Sequence, residues 1–174
     1  MQHLKLLTIS LIAVAVFSVT ASAQRKPARK TPPKTPAPKI VPPLEVRAAR
    51  EKVSIQLSNV DRFIDVLGPI AQGIEETDEA AKSSPLPKET EAKNEENKRK
   101  VIAAIRNLGD GLRVLEAEFR TKSELQKYLP AIQGITDLAA SSEDMAIAGK
   151  FVAAKDPLRE VSLKLTDTLV AMPK

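Results

Sequence analysis

A chain of 174 residues with 27 Lys and Arg, 22 Asp and Glu, one His and no Cys or Trp has room for one domain and a tail. The lack of Cys excludes disulfides, thiolate zinc sites, covalently attached haem and a thiol nucleophile. Aromatic residues make up 3%, too few for stacking platforms, and the net charge of +5 points to a polyanionic partner only if the folded part carries it.

Met1 to Ala23 begins with a single cation, Lys5, runs through apolar residues from Leu6 to Val19, and ends in Ala21-Ser22-Ala23. That order of segments predicts a cleavable secretory signal peptide. The apolar run holds about 14 residues, short of the roughly 20 that an α-helix needs to cross a bilayer, so a retained anchor is the weaker reading. No Cys follows it to accept a lipid. The expected destination is a bacterial periplasm or the exterior. Cleavage after Ala23 removes His3, and the mature chain then has neither His nor Cys.

Residues 24–43, QRKPARKTPPKTPAPKIVPP, contain seven of the thirteen prolines, six cations and no acid. Proline removes backbone donors and fixes φ while like charges repel, so this linker is expected to be extended and disordered. The charge divides unevenly: +1 in the signal, +6 in the linker and −2 in residues 44–174. Arg25, Lys26, Arg29, Lys30, Lys34 and Lys39 are therefore the candidate anion-binding residues, for an anionic envelope polymer. With an acidic domain behind them and few aromatics, nucleic acid is not the expected partner. A plain soluble spacer is the competing reading.

From Leu44 onward, apolar residues recur at helical spacing. Val46, Ala49, Val53, Leu57, Val60, Ile64, Leu67, Ala71 and Ile74 form one stripe that keeps its register across Gly68-Pro69, predicting one helix kinked at the proline. Ser83-Ser84-Pro85-Leu86-Pro87 reads as a loop. The charged run KETEAKNEENKRK follows, with Glu89/Lys93, Glu95/Arg99 and Glu96/Lys100 four residues apart, as on a solvated helix start. The next stripe is Val101, Ile105, Leu108, Leu112, Leu115 and Phe119, with Gly109 and Gly111 permitting a close neighbour.

Two capping boxes, Thr121/Glu124 and Ser123/Gln126, predict a third helix from about residue 122 through Leu125, Leu129, Ile132, Ile135 and Leu138, kinked or restarted at Pro130. Ser141-Ser142-Glu143-Asp144 reads as a break and new cap, with Met145, Ala148, Phe151 and Val152 facing inward after it. Asp156-Pro157 reads as cap and first helical residue of a last stripe, Leu158, Val161, Leu165, Leu169 and Met172. No segment alternates with period two, so a sheet is not expected. The fold class is all-α, an antiparallel bundle of about four helices.

One internal echo stands out. Pro69-Ile70-Ala71-Gln72-Gly73-Ile74 and Pro130-Ala131-Ile132-Gln133-Gly134-Ile135 share P-x-x-Q-G-I, and Leu108-x-Asp110-x-Leu112 matches Leu165-x-Asp167-x-Leu169 in the same order. A duplicated αα-hairpin would produce this, as would chance likeness among helices. Under duplication, Pro69, Gln72 and Gly73 would be one helix kink and Pro130, Gln133 and Gly134 its counterpart, each Gln bonding a carbonyl freed by its proline.

The chemistry left open is narrow. Haem bundles and di-iron sites need His, serine triads need a His base, and no Ser-x-x-Lys, G-x-G-x-x-G, Walker or EF-hand pattern occurs in residues 44–174. Met145 and Met172 sit on packing stripes. Paired carboxylates such as Glu75/Glu76 and Glu116/Glu118 are undirected, as is the acidic group Glu75, Glu76, Asp78 and Glu79. The Leu-Thr-x-x-Gln signature of small helical periplasmic chaperones is absent, and no family resemblance emerges. No catalytic residue, metal ligand or cofactor is assigned. The expectation is an exported, non-enzymatic interaction or scaffold module, monomeric or homodimeric; the alternative is a carrier for a small apolar ligand, with its cavity between kinked helices.

Overall fold

The computed structural model describes residues 42–174, which form an antiparallel four-helix bundle. The predicted signal and most of the linker, including all six candidate anion-binding cations, lie outside the described residues. The long elements are α1 (Leu44–Ser83), α2 (Lys88–Thr121), α4 (Ile135–Ile147) and α5 (Lys155–Ala171), with a 3-10 turn at Gln126–Tyr128 and a single helical turn, α3 (Leu129–Ile132), between α2 and α4. Among the described residues there is no strand, and no helix is long and apolar enough to cross a membrane.

The helices form a closed ring in which α1 packs on α2 and α5, α2 on α4, and α4 on α5. The stripes read from the sequence face the centre. Val46, Ala49, Val53, Val60, Leu67, Ala71 and Ile74 of α1 are buried, as are Val101, Ile105, Leu112, Leu115 and Phe119 of α2 and Leu158, Val161 and Leu165 of α5. Phe151, Ile132, Ile135 and Leu125 fill the remaining centre. Each such side chain contributes about 1.5–3 kcal/mol by leaving water, so the seam rather than helix propensity holds the elements. Both α2 glycines meet a neighbour: a Cβ on Gly109 would lie 3.5 Å from Ala139 Cβ, and one on Gly111 2.9 Å from Gln56 Nε2.

α1 runs unbroken through Gly68-Pro69. Pro69 lacks an N–H, so the helix forgoes one ladder bond there and keeps its register because Leu67, Ala71 and Ile74 stay buried on either side. Its end at Ser83, the loop at residues 84–87 and the start of α2 at Lys88 match the Ser-Ser-Pro-Leu-Pro signal.

The second half restarts with Pro130 in the first turn of α3, as one sequence reading had it, and departs from that reading at its other boundaries. No continuous third helix starts near residue 122. Thr121 donates its hydroxyl back to Ala117 O at 2.9 Å and Ser123 donates to the Glu124 carboxylate at 2.9 Å, so neither capping box forms. Ser141–Asp144 is no break, because α4 runs through it, and Ser142 is fully buried with its hydroxyl donating to Ala154 O at 2.7 Å. The stop comes at Gly149, at φ +79°, where Lys150 N–H donates to Met145 O at 2.9 Å and Gly149 N–H to Ala146 O at 3.0 Å. That paired bonding is a Schellman end, and it leaves Ala148 exposed rather than inward. Asp156 is likewise not a cap: α5 begins at Lys155, and Pro157 sits buried in its first turn, where its missing N–H leaves no ladder bond unmade.

Candidate functional site

α1 has 40 residues and α2 has 34, so at 1.5 Å per residue they run about 60 and 50 Å, against about 20 Å for the 13 residues of α4. Lateral ties fix the register. Arg106 bonds Glu143 at 2.8 Å, Asp61 accepts from Ser162 at 2.6 Å, and Glu75 accepts the Val152 N–H at 2.8 Å. The four-helix cross-section therefore ends near Ile102 of α2 and Gly68 of α1, where an added Cβ would lie 3.8 Å from the Lys155 ammonium at the start of α5. The 148–154 segment covers it as far as Glu75. Beyond that, α1 and α2 continue alone as a two-helix tip.

On the outer side of this extension lies an open groove of about 1030 Å³. Pro69, Ile70, Gly73 and Thr77 form its α1 wall, and Thr90, Lys93 and Asn97 are spaced along its α2 wall. Gly73 has nothing within 4 Å of the place a Cβ would take, and Ile70 is 39% exposed. The rim charges are largely paired within α2, Lys93 with Glu96 at 3.3 Å and Lys100 with Glu96, which holds the Glu96 carboxyl below the usual range through the Lys100 hydrogen bond first and Lys93 second. Of the three expected i,i+4 pairs, the structure forms Glu96/Lys100; Lys98 instead joins Glu95 at 2.8 Å and Asp78 at 2.7 Å.

The two echoed hexapeptides are not brought together and do not share a conformation. Pro69 and Gly73 are in the groove wall inside a continuous helix, whereas Pro130 lies in the first turn of α3 and Gly134 has φ +92° at the head of α4. Gln72 and Gln133 are both exposed, and among the described residues neither side chain makes the hydrogen bond to a freed carbonyl that the sequence suggested. Pro69 is level with Ile102 and Gly134 with Glu116, roughly 20 Å apart along the bundle.

The polar side chains with the most tertiary structure around them were not singled out by motif. Glu116, 2% exposed, sits on the buried stripe of α2. Its carboxylate accepts the Gly134 N–H at 3.0 Å, the Thr136 N–H at 3.0 Å, the Thr136 hydroxyl at 2.7 Å and one Arg120 N–H at 2.5 Å. Burial alone would push this carboxyl up; the bonds from Gly134, Arg120 and Thr136 outweigh it and hold it down at about 2. Glu116 thus caps α4 from another helix, satisfying the amides that the head of α4 leaves open. Glu118, two residues on, turns away to Lys52 and Lys122, and its carboxyl is lowered chiefly by the Lys52 hydrogen bond. Glu75 serves Val152 and Glu76 is exposed, so both carboxylate pairs noted in the sequence diverge.

At the same end of the bundle, Arg50 donates to Leu169 O and, at 3.0 Å, to Met172 O, placing a cation on the carbonyl end of α5. Among the described residues no α-helix has a side-chain cap from its own N-cap residue. Capping is done across the bundle by Glu116 and Arg50. A charged residue at a stripe position, such as Glu116 four residues after Leu112, is the sequence signal for it. Among the described residues no three His, Cys, Asp or Glu side chains converge as a metal site would require. Compared with protein-family models, curated proteins and solved structures, the chain matches none.

Proposed function

We propose that this chain is an exported, non-enzymatic interaction module. It takes a partner protein in the outer groove of the α1–α2 extension, and residues 24–43 add salt-sensitive attachment to anionic envelope polymer. The open groove carries the reading: about 1030 Å³ bounded by Pro69, Ile70 and Gly73 on one side and an α2 face on the other, along a helix pair that outruns the rest of the bundle. A long open trough suits an elongated segment of another chain. A small-ligand carrier encloses most of its ligand, whereas the groove beside Pro69 is open and Pro130 stands at a different level of the bundle.

A photo-reactive residue in place of Ile70 or Ala92, compared with one in place of Val170 on α5, tests the groove. Crosslinks to a discrete envelope protein are expected from the first two positions and not from Val170; equal yields at all three would sink the groove. For the linker, deleting residues 24–43 should release the folded protein from anionic envelope material, and high salt should mimic the deletion because exposed charges are screened over about 8 Å at physiological ionic strength. Unchanged retention under both treatments reduces the linker to a spacer.

A further inference from the structure

We propose that the tip beyond Glu75 opens and closes as a unit separate from the four-helix core, and that a polar latch of Asp78, Asn94 and Lys98 sets the width of the groove. The use of the groove rests on the docking reading above; the opening itself does not.

The apolar seam stops short of the tip. The last buried apolar residue of α1 is Ile74 and the first of α2 is Val101, and the buried residue between them is Asn94. Its side-chain amide donates to Asp78 Oδ1 at 2.7 Å, and Lys98 Nζ reaches the same oxygen at 2.7 Å. Thr77 and Asn94 line the outer groove and also a hollow of about 280 Å³ on the inner side, shared with Asp78, Ala81 and Leu86. The α1–α2 contact here is therefore one polar seam with open space on both sides. Among the described residues, the side-chain hydrogen bonds and ion pairs of residues 76–100 stay within α1 and α2, and Glu75, through Val152, is the last α1 side chain tied to the core by a hydrogen bond.

Separating such a seam exchanges amide–carboxylate and ammonium–carboxylate bonds for bonds to water, which is nearly balanced. Separating the core would expose Leu, Ile and Phe side chains, which is not. A polar pair at an otherwise apolar position also fixes register, as a lone Asn does in a coiled coil. The latch accordingly keeps α1 and α2 in register while leaving the tip easy to open, and each opening widens the groove whose walls it joins.

Amide hydrogen exchange on the full chain tests this without any partner. Amides of residues 78–83 and 92–98 should exchange at least about 100-fold faster than those of residues 49–74 and 101–119, because only the latter require core opening. Replacing the latch by an apolar pair, Asp78→Leu with Asn94→Leu, should slow exchange in the tip about tenfold and leave the core unchanged; 1 M salt should speed tip exchange in the natural chain and not in this variant. If that variant does not fold, Asn94→Ala, expected to speed the tip alone, takes its place. Tip amides as slow as the core, or a variant that moves tip and core together, overturns the proposal. Failure here leaves the crosslinking result standing, and a failed crosslink leaves this one standing.

Discussion

Replacing Glu116 by Gln removes one charge and one acceptor from a site built around both. The natural carboxyl falls from the ordinary 4.5 to about 2 on folding, equivalent to about 3 kcal/mol of native stability at neutral pH. The side chain is 2% exposed, so solvent screening discounts little of this. Because the folded-state value is the lower one, the contribution is complete above about pH 4.5 and is lost as pH falls toward 2. Glu116→Gln keeps the shape, and its amide oxygen still accepts one bond, but the NH₂ faces the donors of Gly134 or Thr136. We expect a loss of about 2–3 kcal/mol at pH 7, shrinking to near zero by pH 2. Urea unfolding followed by far-ultraviolet circular dichroism from pH 7 to pH 2 reads both numbers, with a midpoint shift of about 1–2 M at neutral pH. A penalty independent of pH would refute the ionised cap, and a penalty below about 0.5 kcal/mol at pH 7 would refute the cap itself. Arg120 is half exposed, so Arg120→Ala should cost less than about 1 kcal/mol in the same assay.

Four further outcomes follow from the bonding and the backbone geometry. Arg50→Met should destabilise by about 1–2 kcal/mol, since the Leu169 and Met172 carbonyls lose their cation, and the loss should show as faster exchange at the end of α5. Ser142→Ala should cost about 1–2 kcal/mol in thermal or urea unfolding, because the Ala154 carbonyl beneath it loses a buried donor. Gly73→Ala should stabilise by about 0.5–1 kcal/mol, its Cβ meeting open space inside a helix, whereas Gly134→Ala should destabilise by about 1–2 kcal/mol at φ +92°.

What the sequence disclosed was whatever repeats along a helix. The stripes of α1, α2 and α5 were legible because a buried seam must recur every three or four residues, and the Ser-Ser-Pro-Leu-Pro loop because proline ends a hydrogen-bond ladder. The turns after Thr121 were not. Their polar residues fit local capping patterns, but the amides at the head of α4 are met by Glu116, 18 residues before Gly134. Ser142 looked like a break because serine favours caps; its hydroxyl instead finds a buried carbonyl 12 residues on. The groove was legible only in part: Pro69 and Gly73 were marked, while its α2 wall read as an ordinary solvated helix start.

The opposite signs expected for Gly73→Ala and Gly134→Ala bear on how far the internal echo reaches. The two hexapeptides offer their backbones the same proline, glutamine and glycine, so local propensity cannot make one a straight helix and the other a break. Their surroundings differ. In α1, Leu67, Ala71 and Ile74 are pinned in the seam on both sides of Pro69, and any break would lift one of them into water. Around Gly134, a left-handed residue allows Gly134 and Thr136 to point their amides at the Glu116 carboxylate while Ile132 and Ile135 both stay buried. Nothing lies within 4 Å of the place a Cβ on Gly73 would take, and the carboxylate nearest in sequence, Glu75, is bonded to Val152. If the segments arose by duplication, the break in the second copy came with an acid on α2 able to stabilise it. Glu116→Gln should therefore weaken the penalty of Gly134→Ala, since the left-handed turn has less to gain once its cap is gone. A double-mutant cycle in urea should show a coupling of about 0.5–2 kcal/mol between the two, and strict additivity would break the link between cap and turn.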